Sequence, residues 1–337
     1  MSSFLISKLE KNLSKENLNF ILDITDEETL NDISKFVLSK KDKEAVSFLI
    51  QNDKISKSLS LELFQFIVIN ECLEMFLGLD FNKFDIHAHK DYAFRASATF
   101  GNIEVAKILF ENGADIHADK DNAIKWASIN GHVEVVKFLV EMGADIHANN
   151  DYAIIWSSSR GRIEVVKFLV ENGADIHADD DLAFAMSSRN GHIDLVKFLL
   201  EKGANIHAND DRALRWASEH GHFEVVKFLV EKGANIHADD DRALRWASEY
   251  GHFEVVKFLV EKGAYIHIDD DYPLRWSCRK GYFEMVKYLI ENGANIHAKE
   301  DCSLDWCSYN KRIEIVKFLL NSDLEYFSKN KKAIVLC

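Results

Sequence analysis

Residues Asp211–Ala238 read DRALRWASEHGHFEVVKFLVEKGANIHA, and Asp241–Ile268 repeat that text almost unchanged as DRALRWASEYGHFEVVKFLVEKGAYIHI. The same thirty-residue phase is kept by Asp91, Asp121, Asp151, Asp181, Asp211, Asp241, Asp271 and Asp301. It is kept again by His87, His117, His147, His177, His207, His237, His267 and His297. A fixed period of this size excludes a globule closed around one core. Each copy must bury its apolar face against its neighbours, so the chain grows as a stacked array. Its 337 residues therefore require no second core, and 47 % apolar residues suffice for a continuous seam.

Within the fifth copy, Asp211 is placed to cap a short helix by accepting hydrogen bonds from free backbone N–H groups. Ala213, Leu214, Trp216 and Ala217 give that helix an apolar face, and Gly221 ends it in a left-handed C-cap. Phe223, Val225, Val226, Phe228, Leu229 and Val230 form a second helix that is apolar nearly all round. Glu224 stands in its positive first turn, with Lys227 three residues on to pair with it. Gly233 ends this helix, and Ala234–Ala238 reads as an extended connection. Every copy is thus helix, turn, helix, loop. Eight copies run from Asp91 to about Asp323, making an array over 86–323 with a short C-terminal cap at 324–337. Residues 1–85 carry apolar residues at helical spacing, and Lys41–Asp53, KDKEAVSFLIQND, is a worn copy of GHFEVVKFLVEKG. They read as a helical N-terminal cap or degenerate repeats, since end copies must cover the apolar face; a separate small helical module is the alternative.

The run A-L-x-W-A-S-x-x-G-H-x-E-V-V-K-F-L-V-E-x-G-A-[DN]-I-H-A resembles the ankyrin repeat. The resemblance implies an all-α, helix-turn-helix solenoid. The chain departs from the family's T-P-L-H opening, which here reads Arg212-Ala213-Leu214-Arg215; only Tyr272-Pro273-Leu274 keeps the proline. The period is 30, not 33, so the loops, and the protruding finger between Ala238 and Leu244, should be shortened. The thirty-residue spacing and I-H-A tails are similar to the ankyrin proteins that giant DNA viruses of amoebae encode in large numbers.

The polar columns invite chemistry, and spacing argues against it. Ligands of one zinc lie about 2 Å from the ion, whereas stacked helices lie about 8–10 Å apart. The imidazoles of His117, His147, His177, His207, His237, His267 and His297 are therefore expected to serve the loops by bonding backbone groups. Trp126, Trp156, Trp216, Trp246, Trp276 and Trp306 occupy one position in six copies and are expected to pack between neighbouring first helices; a recognition strip is the competing reading. The runs Asp179–Asp181, Asp239–Asp241 and Asp269–Asp271 lack calcium-loop spacing. There is no G-x-S-x-G, P-loop, H-E-x-x-H or C-x-x-C. No catalytic residue, cofactor or metal is expected, and an enzyme is the weakest of the functional readings.

Variation between copies marks the candidate binding positions. One residue after the marker aspartate stand Tyr92, Tyr152, Arg212, Arg242 and Tyr272; four after it stand Arg95, Lys125, Arg215, Arg245 and Arg275; eight after it in the seventh copy stands Arg279. The resemblance places these on the concave side, where partners dock, and Tyr and Arg recur as interface hot spots. The expected function is a non-catalytic scaffold for another protein, with an acidic surface favoured as partner. The alternative is an adaptor that recruits host machinery, such as a ubiquitin ligase, through residues 1–85. A formal charge of −14 disfavours nucleic acid and anionic membrane. Five cysteines without metal-ligand pairing, and the absence of a long apolar run, read as a soluble, non-secreted, intracellular monomer, in the host cytoplasm if the protein is viral.

Overall fold

The computed structural model describes residues 86–322, apart from the side chains of Glu300 and Asp301, together with isolated positions between 6 and 45. The first helices of successive repeats are α1 (Ala88–Phe100), α3 (Ala118–Asn130), α5 (Ala148–Ser159), α7 (Ala178–Arg189), α9 (Ala208–Glu219), α11 (Ala238–Tyr250), α13 (Ile268–Lys280) and α15 (Ala298–Tyr309). The second helices are α2 (Ile103–Glu111), α4 (Val133–Glu141), α6 (Ile163–Glu171), α8 (Ile193–Glu201), α10 (Phe223–Glu231), α12 (Phe253–Glu261), α14 (Phe283–Glu291) and α16 (313–322). No strand occurs among the described residues. The fold is the expected all-α solenoid of helix pairs.

Two compact units divide the chain: residues 1–157 with 164–175, and residues 158–163 with 176–337. In the first, α1 packs along α3 while α2 and α4 touch more sparsely. In the second, α7, α9, α11, α13 and α15 pack each on the next, and α8, α10, α12 and α14 line up behind them. The seam is narrow and repeated. Val225, Val226 and Leu229 of α10 are buried, as are Ala213, Leu214 and Ala217 of α9, and the equivalent residues repeat the arrangement in neighbouring helices. Leu9, Leu18, Ile33, Val37 and Ala45 are buried and helical too; the rest of the expected cap at 1–85, and that at 324–337, lie outside the described residues.

The connections are not extended, which overturns the expectation for Ala234–Ala238. Ala234 N–H returns to the Leu229 carbonyl at 3.0 Å, and Ala238 N–H to the Asn235 carbonyl at 3.2 Å. Three successive residues then adopt left-handed backbone: Asp239, Asp240 and Asp241 have φ of 54°, 54° and 50°. The same triplet recurs at 89–91, 119–121, 149–151, 179–181, 209–211 and 269–271. A left-handed residue costs roughly 1–2 kcal/mol unless it is Gly, with Asn and Asp the next most tolerant. That tolerance explains the aspartate-rich runs. Each compressed loop is a single left-handed turn, and this is where the three residues missing from the usual period are lost.

The marker aspartates do not cap their own helices, contrary to expectation. Asp211 is 4 % exposed, and its Oδ1 accepts from His207 Nδ1 at 3.1 Å and from the Asn235 N–H at 2.7 Å. Asp91, Asp121, Asp151, Asp181, Asp241 and Asp271 likewise accept the N–H of the residue 24 positions on, at 2.7–2.9 Å. Each carboxylate therefore joins the loop it closes to the next loop along the chain. Because a carboxylate only accepts, the histidine must carry its proton on Nδ1. From His87 to His267 the imidazole thus bonds an aspartate side chain, where a bond to loop backbone was expected. Two charge-assisted hydrogen bonds, each worth roughly 1.5–3 kcal/mol, are of the size needed to offset the left-handed triplet. Asp211→Ala removes both and leaves the Asn235 N–H without its acceptor. It should lower unfolding free energy by about 2–4 kcal/mol, read from urea denaturation. Asp210→Ala, on an exposed neighbour, should cost far less.

Candidate functional site

The face made by the first helices carries the candidate site, and the loops decide which of its side chains are free. Arg215 is turned back on the loop: Nε donates to the Asp210 carbonyl at 2.8 Å, Nη2 to the Asn209 carbonyl at 2.7 Å, and Nη1 to Asp239 Oδ2 at 2.9 Å. Arg95 repeats this with the carbonyls of Lys90 and His89 and with Asp119, and Arg275 with the carbonyls of Asp270 and Asp269. Arg245 donates to the Asp239 carbonyl. Left-handed turns leave carbonyls without helical partners, and a planar guanidinium can bridge two of them. Burial pushes the Arg215 guanidinium and the Lys125 ammonium below their usual values. Arg275 is 3 % exposed, and Lys125 and Arg215 are buried with it. The arginines brace loops. They were expected on the open face, and the structure takes Lys125, Arg215 and Arg275 off it.

Tryptophan moves the other way. Trp126 and Trp156 are 43 % and 37 % exposed, and Trp216, Trp246, Trp276 and Trp306 are half-buried. The rings of Trp276 and Trp306, on neighbouring first helices, meet edge-on at 5.8 Å. Elsewhere small residues such as Ala213 and Ala217 are buried, and the indoles are half-buried or exposed. Cations cover them: Arg189 and Arg212 each 5.5 Å from the Trp216 ring, Arg242 5.0 Å from Trp246, and Arg279 4.5 Å from Trp276. In the first compact unit the neighbour is aromatic, with Tyr152 5.5 Å from Trp156.

Tyr92 and Tyr152 in the first compact unit are half-buried, as are Arg212, Arg242 and Tyr272 in the second, where Arg279 is exposed. Arg242 Nη1 reaches Asp239 Oδ2 at 2.6 Å, and Arg212 lies 3.9 Å from Asp180, so both lean toward the loops. The Tyr272 hydroxyl donates to Glu249 Oε2 at 2.7 Å, and burial, aided by this carboxylate, pushes its phenol well up. Phe100 and Tyr250, in the variable positions at the helix end, are 48 % and 50 % exposed.

One column escaped the sequence reading. His132, His192 and His252 follow the helix-ending glycines, and their Nε2–H groups donate to the carbonyls of Thr99, Ser159 and Glu219 in the preceding repeat, at 3.0, 3.0 and 2.8 Å. His222 bonds the Arg189 carbonyl in the same way, and Tyr282 reaches that of Glu249 at 3.5 Å. The glycines make room for these rings. A Cβ on Gly191 would stand 2.5 Å from the His222 imidazole, besides its φ of 76°. The G-H pair repeated in the text was the signal, and its left-handed cap accounted for the glycine alone.

The family model for ankyrin repeats in three copies matches residues 36–150, 93–180, 143–210, 182–270 and 244–332, an unbroken run from 36 to 332. The chain belongs to the ankyrin repeat family. No curated protein matches it. Ankyrin repeats are generally protein–protein interaction modules, and the family is typically non-catalytic. In this ankyrin array the usual Thr–His opening is replaced by the His–Asp–N–H link, with arginines bracing the turn. Among the described residues no helix is long and apolar enough to cross a membrane.

Two substitutions separate the reasons for glycine. Gly203 has φ of 104° and nothing within 4 Å of its missing Cβ, so Gly203→Ala carries the conformational cost alone. Gly191→Ala should cost about 1–3 kcal/mol more in chemical denaturation, since the inserted carbon overpacks the ring, and His222→Ala in the same chain should recover part of it. Acid tests the same ring. Burial, with His220, His192 and His252 nearby, lowers the His222 pKa. The unfolded imidazole, near 6.5, then takes a proton first. Stability should be unaffected by this group above about pH 7 and should fall as pH drops below 6.5. Melting temperatures at pH 7.5 and 5.5 should differ less for His222→Tyr than for the parent chain.

Proposed function

We propose that this ankyrin array binds another protein along the open face of its first helices, using the exposed indoles as apolar anchors and Arg212, Arg242 and Arg279 with Arg189 as charged contacts. The observation that carries the reading is the inversion of burial at the tryptophan column. Six large aromatic residues lie half-buried or exposed, next to first-helix positions that are fully buried. Trp, Tyr and Arg are the side chains that most often dominate binding energy, and an indole held flat by a guanidinium loses little freedom on docking. The preference for acidic groups rests on Arg189, Arg279 and Lys280, because Arg95, Arg215, Arg245 and Arg275 are engaged with the loops and Lys125 is buried. Tyr92, Tyr152 and Tyr272 border the strip.

The chain acts as a scaffold, and no catalytic role is proposed for it. The match beginning at residue 36 supports reading 36–85 as degenerate repeats that extend the array. A giant-virus origin rests on the thirty-residue spacing and the I-H-A tails.

Trp216→Ala together with Trp246→Ala should lower partner capture from a cell lysate by about tenfold or more, quantified by mass spectrometry, while the melting temperature moves by only a few degrees. Capture that is unchanged, in a variant that remains folded, would remove the first-helix face as the docking surface.

A further inference from the structure

The row eight residues after each marker aspartate is the most orderly charged feature of the second compact unit. It reads Arg189, Glu219, Glu249, Arg279. Its signs run plus, minus, minus, plus. The row is set apart from the arginines at the opposite edge, since Arg212 and Arg242 lean toward Asp180 and Asp239. Arg189 and Arg279 are exposed, rest on Trp216 and on Trp276 and Trp306, and form no ion pair among the described residues. Glu249 accepts from a neutral donor, the Tyr272 hydroxyl, and forms no ion pair among the described residues. Glu219 has one ion-pair neighbour among the described residues, His220 at 3.9 Å. The backbone beneath three members of the row is pinned by the next repeat: His222 on the Arg189 carbonyl, His252 on that of Glu219 and Tyr282 on that of Glu249. The charges are therefore presented from fixed points, which suits recognition of a partner at low ordering cost.

We propose that this row reads an extended segment of a partner protein whose charges run acid, base, base, acid at every third residue. The spacing follows from two repeats of geometry. Packed helices lie about 8–10 Å apart, and an extended chain advances about 3.3 Å per residue, so each repeat is matched by about three residues. Opposite charges then face each other four times, and the stacked guanidiniums of Arg189 and Arg279 can take a carboxylate edge-on. The inference rests on the first-helix face being the docking surface, and it sharpens the acidic preference into a pattern: a uniformly acidic strand would meet Glu219 and Glu249.

The test uses the full chain and two fluorescein-labelled ten-residue peptides with threonine at every x, Glu-x-x-Lys-x-x-Lys-x-x-Glu and Lys-x-x-Glu-x-x-Glu-x-x-Lys. Both have equal numbers of opposite charges, so only the order differs. Fluorescence anisotropy at low salt should give at least about tenfold tighter binding of the first peptide. The variant combining Arg189→Glu, Arg279→Glu, Glu219→Lys and Glu249→Lys should reverse the preference, with circular dichroism showing that it stays folded. Equal affinities, or no binding of either peptide, would overturn the proposal. Should Trp216→Ala with Trp246→Ala still abolish capture in that case, the docking face stands and the charge pattern alone fails. Should capture also be indifferent, both fail.

Discussion

The buried carboxylate that closes each loop is what the rest of this molecule depends on. Three consecutive left-handed residues are costly for any L-amino acid other than glycine, and seven described loops contain such a triplet. The turn persists because its third residue is an aspartate that accepts a hydrogen bond from the imidazole four residues before it and another from the backbone N–H 24 residues after it. One oxygen thereby fixes the shape of a loop and its distance to the next. Removing the buried acceptor leaves two donors unpaired at once, which accounts for an aspartate in all eight copies whose other loop residues vary.

That device has consequences for the surface. A turn this tight turns its carbonyls outward, and the long side chain four residues after the aspartate folds back to meet them. Arg95, Arg215, Arg245 and Arg275 serve the loop, so variation at that position, from arginine to Ile155 and Ala185, reflects how each loop is braced as well as what the face presents. The close spacing of first helices is met by Ala213, Ala217 and their equivalents, whose small side chains fill the seam, and the indole stays outside. A shortened loop and an exposed aromatic strip are in this sense one feature of the chain.

The helical architecture was legible because period and apolar spacing are direct records of burial: Val225, Val226 and Leu229 stand where the pattern places them, and Gly221 and Gly233 end their helices. The loops were legible only in part. Asp and His repeat four apart, which flags a pair, but the N–H that completes the link comes from residue 235, too distant in sequence for any local pattern to show. Uniformity misled at tryptophan, since a residue repeated in six copies can be kept for a surface as well as for a core. Variation misled at Arg215, because a side chain can be variable and still be buried where the loop it serves also varies. The His132, His192 and His252 column was hidden behind glycine, whose left-handed cap offered a sufficient local reason for a position that also makes space.

Native-state amide hydrogen exchange tests the carboxylate link most directly. The N–H groups of Asp145, Asn205, Asn235 and Tyr265 belong to exposed residues outside the helices, where amides ordinarily exchange within the fastest class. If Asp121, Asp181, Asp211 and Asp241 accept them as the geometry shows, they should be protected to the level of the second-helix amides of Val226 and Leu229. Exchange of those four amides at the rate of exposed loop positions, with the helices still protected, would contradict the account.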